Sequence, residues 1–399
     1  MKRNHTPIPR YRPFTGAAVF SQGFRPFFLL AGIWAVAALA LSFGMFQGWI
    51  ALPTAFGVVE WHYHEMLFGY VAAAIAGFLL TAIPNWTGGL PLQGAPLIGL
   101  VALWIAGRVA VMGSDWIGAG AAAVIDLGFL AVLGGVTARQ IVSGRNWRNL
   151  PPVLAIALFL VCNALSHAVV LGLVDADGVA RRGGIAVVVM LIVLIGGRII
   201  PSFTRNWLAK RKAGALPARF NSFDRIALGT TVLALGYWTV APGDTVAAAL
   251  AALAAVVNLV RQMRWQGFAT LPEPLLWVLH LGYLWIPVGL SLLAASHWWP
   301  SISSNGAVHA LTVGAFGTMT LAVMSRATLG HTGRALTAGP GLTAAFVLVS
   351  CAALARVLAS LFDAAYLPLL TIAAAGWIAA FLCYLMVCGK MFFAGRPGP

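Results

Sequence analysis

Long apolar runs broken by short polar turns make up almost the whole chain. Neither the strict alternation of a half-buried strand nor the one-sided stripe of a surface helix is present. Twelve runs have helical length, at roughly 27–49, 63–84, 95–113, 117–141, 151–173, 183–205, 223–241, 244–262, 274–297, 306–328, 339–361 and 364–393. At 1.5 Å per residue, about 20 residues span a ~30 Å hydrocarbon core. The pattern therefore predicts an all-α polytopic membrane protein with twelve transmembrane helices, the runs at 95–113 and 223–241 being the shortest. The longest connection, about 206–222, is too short to bury a core, so no globular domain is expected. The domain reading is a tail over 1–26, a membrane domain over 27–393 and a tail over 394–399. The first tail carries Pro and Arg rather than the apolar centre of a cleavable signal peptide.

A threefold repeat runs through the pattern. The second, sixth and tenth runs end alike, in AIPNWTGG (Ala82–Gly89), IIPSFTRN (Ile199–Asn206) and MSRATLGHTGR (Met324–Arg334). The third and eleventh runs each bury an arginine, in AGRVA (Ala106–Ala110) and ALARVLA (Ala353–Ala359). The spacing is four helices each time, which predicts three four-helix units at about 27–149, 150–265 and 266–393.

Composition agrees: 60% of residues are hydrophobic and 9% charged, with a mean hydropathy of +0.89. The net charge of +15 raises the question of a nucleic-acid partner, and the distribution answers it. With the N-terminus inside, 20 of the 25 Lys and Arg fall in loops, tails and helix ends on one side, and only Arg181 and Arg182 fall in loops on the other. That bias is the positive-inside rule: it puts both termini in the cytoplasm and leaves the lipid bilayer, not a polyanion, as partner. The four cysteines lie within apolar runs and form no CxxC pair, so packing is their expected role.

Histidines carry the candidate chemistry. His62 and His64 open the second run in EWHYHEMLFG (Glu60–Gly69), His167 lies near the outer end of the fifth, His297 ends the ninth, and His309 opens the tenth. These five share the outer third of the membrane, where imidazoles from facing helices can bind haem iron or copper. His62 and His64 differ by about 200° on an ideal helix, so one site takes both only where the helix starts late or unwinds. His280 lies some seven residues into the ninth run, and His331 follows the tenth on the inner side as a possible inner site. Arg108 and Arg356 are buried cations near the outer face that need anions, and haem propionates would serve. Glu65 is the nearest carboxylate and a possible proton donor. Glycines and aromatics (Gly69, Gly77, Gly314, Gly317, Phe68, Phe78 and Phe316) would let a flat macrocycle lie between helices. Arg198 and Asp126 are expected to be buried as well, as proton carriers or structural groups. No Walker, GxGxxG or CxxCH signature is present, against ATP hydrolysis, dinucleotides and c-type haem.

Over nearly its full length the chain resembles the NnrS family of bacterial inner-membrane proteins. The likeness rests on GFRPFF (Gly23–Phe28), WHYHEMLFGY (Trp61–Tyr70), AGFLLTAIPNWTG (Ala76–Gly88), GRIIPSFTRN (Gly197–Asn206), LHLGYLWIPVGL (Leu279–Leu290) and HALTVGAFGTMTLAVMSRATLGHTGR (His309–Arg334). The resemblance implies haem b and copper, an inner-membrane location, and a part in the response to nitric oxide and nitrosative stress. It carries the family's histidine motifs onto His62, His64, His280, His309 and His331. The expected haem ligands are His64 and His309, with His280 as the alternative. His62, His167 and His297 are then the pool for copper or a second axial position. The three four-helix units are also similar, in architecture alone, to the haem–copper oxidases and nitric oxide reductases. Nitric oxide reduction would need an electron donor. Two other functions stay open: a transporter, and a protein that delivers haem or copper without turnover.

Overall fold

The computed structural model describes residues 14–395. His5, the tail cations Lys2, Arg3, Arg10, Arg12 and Arg396, half of the first predicted tail and most of the second lie outside that range. The described chain is all-helical. Its long runs are α1 (Phe24–Phe46), α2 (Val58–Thr87), α3 (Ala95–Met112), α4 (Ala119–Ser143), α5 (Pro151–Val170), α6 (Asp177–Lys210), α7 (Ser222–Val240), α8 (Thr245–Met263), α9 (Pro274–Trp298), α10 (Ser304–His331), α11 (Pro340–Ala359) and α12 (Tyr366–Phe393). Eleven runs among the described residues are long and apolar enough to cross a membrane, making this a multi-pass membrane protein. The run that falls short is α7, where Asp224 and Arg225 stand in the first turn.

Local chemistry fixes the ends. Asn221 and Asp224 form a capping box at α7, while Asp244, Glu273 and Ser303 accept from the first free amides of α8, α9 and α10. Proline occupies the first turn of α3, α5, α9 and α11, where no amide donor is needed. Gly88 closes α2 at φ +72, a left-handed conformation that glycine adopts without strain.

Three helices form the middle of the bundle. The apolar windows of α2, α6 and α10 are 72%, 67% and 67% buried within the protein, against 28–61% in the other eight. Each of the three contains a π-helical stretch: Glu65–Val71, Ile192–Gly196 and Ala310–Gly317. Such stretches widen the helix and free carbonyls, and they are frequent at functional sites. Around this centre α12 packs on α1 and closes the ring. The closure is clasped by Arg25, whose Nη1 donates to the carbonyls of Met391, Phe392 and Ala394 at 3.1, 2.9 and 2.8 Å. The start of α1 and the end of α12 thus meet at one end of the bundle, the terminus end.

Several residues sit differently from the sequence expectation. Arg25 and Arg261, read as loop or end cations, are buried within helices, where Arg25 donates to carbonyls at the end of α12 and Arg261 pairs with Asp224. Arg198 is exposed on the outside of the bundle, near Asn149 Oδ1 at 3.4 Å. The glycines expected to make room for a macrocycle seat aromatic rings of this chain instead. A Cβ at Gly77 would meet Phe28 at 2.6 Å, at Gly314 Trp285 at 2.5 Å, and at Gly317 Trp377 at 2.4 Å.

Candidate metal centre

The opening turns of α2 direct its two histidines apart. The helix is already formed at Val58, so His62 and His64 keep their wide angular separation and enter different surroundings. His64 points into a fully buried polar group built with α4 and α5. His64 Nε2 lies 3.4 Å from Asp126 Oδ2, and His167 Nε2 lies 3.0 Å from the same oxygen. One ligand atom from each of His64, Asp126 and His167 falls within 4.8 Å of the others. The two histidine–carboxylate separations are close to the edge of about 3.3 Å between ligands held at ~2.0–2.1 Å around a tetrahedral first-row metal ion. Two imidazoles and a carboxylate are a donor set suited to copper or zinc.

The surrounding residues orient this group. Asn163, one turn before His167 on α5, donates to Asp126 Oδ2 (2.8 Å) and so turns its carbonyl toward His64 Nε2 (3.0 Å). Glu65 stands 3.1 Å from His64 Nδ1 and accepts from Arg108 (2.6 Å) and Trp34 (2.7 Å). Arg108 also donates to Asp126. Phe56 covers both imidazoles, with ring centroids 4.9 Å from His64 and 5.5 Å from His167. Water is therefore kept from the group, and its electrostatics are strong. The formal tally is one guanidinium against two carboxylates. A proton on an imidazole, or a bound cation, neutralises the remaining negative charge.

Arg108 is thus ion-paired within the protein, and Asp126 is the partner that the sequence reading overlooked. Gly69 makes the approach possible. A Cβ there would meet Trp34 Nε1 at 2.6 Å and both Arg108 Nη1 and Glu65 Oε2 at 2.9 Å. Gly69→Ala is expected to lower stability by roughly 1–3 kcal/mol through overpacking. Gly120→Ala, where nothing lies within 4 Å, is expected to leave the melting temperature unchanged or raised. Thermal unfolding of the two purified variants checks this.

The other described histidines divide among four further places. His62 and His309 are electrostatic neighbours of each other and of Arg356, bringing α2, α10 and α11 together. His62 Nδ1 is buried without a hydrogen-bond partner. His309 Nδ1 donates to the carbonyl of Asn305 (2.8 Å), which leaves Nε2 as a lone pair. Arg356 donates to Ser360 Oγ (2.8 Å) and has no carboxylate at ion-pair distance among the described residues. His297 stands apart, 3.0 Å from Thr245 Oγ1. His280 is buried with Nε2 2.9 Å from Thr204 Oγ1 and Nδ1 unpartnered, and His331 packs on Phe24 at the terminus end.

A second buried charge network went unread in the sequence. Arg261 donates to Asp224 (2.9 Å), to Tyr283 (3.1 Å) and to the carbonyl of Val193 (3.0 Å) inside the π stretch of α6. Tyr283 in turn donates to Asn258 (2.7 Å). With no histidine in it, this network has the character of a structural clamp.

Fold and site together define a multi-pass helical membrane protein with a buried His/Asp group able to hold a metal ion. The family model described as NnrS protein matches residues 18–396, nearly the whole chain, and the chain belongs to the NnrS family. Among curated proteins none matches it.

Proposed function

We propose that this chain is a haem- and copper-binding protein of the bacterial inner membrane that binds nitric oxide and, given electrons from a donor, reduces it. The observation that carries the reading is the donor set of His64, Asp126 and His167, all within 4.8 Å. In this reading copper is held there. The haem b site belongs to the second group: His62 and His309 have ring nitrogens free to ligate, and Arg356 is free to pair with a propionate. This divides the pair first expected, His64 with His309, between two centres that meet along α2. When bound, the metals supply a place for nitric oxide and for electrons. The chain's own residues hold and orient: Glu65 and Asn163 fix the rings of His64, Asp126 supplies the anion, Phe56 keeps water out, and Glu65 can hold a proton beside His64.

The same reading takes α7 as a twelfth crossing. The Arg25 clasp brings the start of α1 to the end of α12, which fits an even number of crossings, and eleven runs already qualify. The three central helices with their π stretches support a threefold arrangement of four-helix units. The one-sided Lys and Arg put the terminus end in the cytoplasm.

The test is anaerobic nitric oxide consumption by purified protein with a chemical reductant, alongside its optical spectrum and copper content. Haem bands, copper and consumption above that of free haem are the expected result. A loaded protein that consumes no nitric oxide would favour delivery or sensing, and one lacking both cofactors would favour transport.

A further inference from the structure

Hydroxyl side chains in membrane helices ordinarily fold back onto the carbonyl four residues earlier. Thr312, Thr320, Thr332 and Ser350 all do so here. On α10, Thr318, Ser325 and Thr328 do not: each is fully buried, and each hydroxyl lacks a partner. A buried hydroxyl left so costs about 1–3 kcal/mol, and groups of this kind are normally answered by ordered water.

These residues form a line. Thr318 and Ser325 are seven residues apart, a drift of only ~20° around the helix, and Thr328 follows Ser325 by three, one turn on and on the same side. Tyr384 of α12, fully buried, sets its hydroxyl against Thr328 without closing a hydrogen bond of good geometry. Tyr384 is also an electrostatic neighbour of Tyr70 on α2, whose hydroxyl pairs with Thr320 near the middle of both runs. At the terminus end a cavity of about 100 Å³ is lined by Gln22, Thr81, Asn85 and His331, one turn below Thr328. It has room for about three waters at ~30 Å³ each. The Gln22 carbonyl oxygen on its wall is buried without a partner. At the upper end the Tyr70 ring is boxed edge-on by Trp377 and Phe381, at 5.7 and 5.5 Å.

We propose that these groups form a hydrated half-channel. Water enters by the cavity at the terminus end, and protons pass along water and hydroxyls between α2, α10 and α12 as far as the Tyr70–Thr320 pair. The aromatic rings packed around Tyr70 close the end of the path at mid-membrane, so the channel delivers protons to the interior without short-circuiting the bilayer. The inference does not depend on which metals the protein holds.

X-ray radiolytic footprinting of the intact detergent-solubilised protein tests it, because hydroxyl radicals made from bound water label adjacent side chains even when these are buried. Tyr384 and Tyr70 are expected to be labelled well above Tyr283, which is equally buried but hydrogen-bonded to Arg261 and Asn258. Mixing into ¹⁸O-water before the pulse is expected to carry the heavy isotope into both products, since the water exchanges with bulk. Thr328→Val, which keeps the shape and removes the hydroxyl, is expected to reduce labelling of Tyr384 while half-buried Tyr366 is unaffected. Tyr384 labelled no faster than Tyr283 would overturn the proposal. So would labelling without entry of the heavy isotope, which means trapped water and no path.

Discussion

Asp126→Ala is expected to abolish metal binding and to destabilise the protein by about 3–5 kcal/mol, the usual cost of removing one partner from a buried ion pair. The loss has two sources. Asp126 Oδ2 is the atom on which His64 and His167 converge, so the metal loses its only anionic ligand in the group. Arg108 meanwhile keeps a buried guanidinium with Glu65 as its remaining carboxylate. Asp126→Asn separates the two effects. It removes one negative charge and leaves Arg108 and Glu65 balanced one against one. The amide oxygen can still accept from Arg108, while the NH2 group in place of Oδ2 meets Asn163, whose own amide can turn to present its oxygen. Metal affinity is expected to fall with a much smaller loss of stability. Copper content of the purified variants, set beside their thermal unfolding, reads both quantities. Full metal retention in the asparagine variant would rule out the carboxylate as a ligand.

The second large effect separates the two arginines that look equivalent in sequence. Arg356→Leu is expected to lower haem retention severely while leaving the fold intact, because only the Ser360 hydroxyl loses a partner. Arg108→Leu is expected to do the reverse. It strands Glu65 and Asp126 together in a dry site, costing roughly 3–5 kcal/mol, while the haem content of the protein that still folds stays unchanged. Pyridine haemochrome assay per folded protein, with unfolding midpoints, checks both. Equal haem loss in the two variants would return both arginines to the propionates, as the sequence alone leads one to expect.

Most of the helical architecture was legible because hydropathy is a bulk property: runs of about 20 apolar residues admit few readings in a bilayer. The run at 223–241 was read as spanning on length, and its charged first turn is what keeps it from the eleven. The π stretches were invisible, since nothing in Glu65–Val71 or Ala310–Gly317 distinguishes a π turn from an α turn by composition. The histidines could be assigned a depth but not a direction. Depth grouped five of them, whereas rotation about α2 sends His62 and His64 to different neighbours. One signal was available and unused. Asn163 and His167 are four residues apart and share a helix face, which marks α5 as presenting two polar side chains to one site. Asp126 was noted as a buried charge, but its tie to Arg108 bridges neighbouring helices and has no sequence signature.

The distances along the chain between cooperating residues bear on the order in which the protein is built. His64, Glu65, Arg108, Asp126, Asn163 and His167 all come from α2 to α5, so their site is complete once the first five helices have left the ribosome. His62 must wait for α10 and α11 to bring His309 and Arg356, and the Arg25 clasp waits for the last residues of α12. On the proposed reading the order of synthesis has a consequence: the His64–Asp126–His167 group could take an ion on a half-made chain, whereas the His62–His309–Arg356 group could take a macrocycle only once α11 has been made.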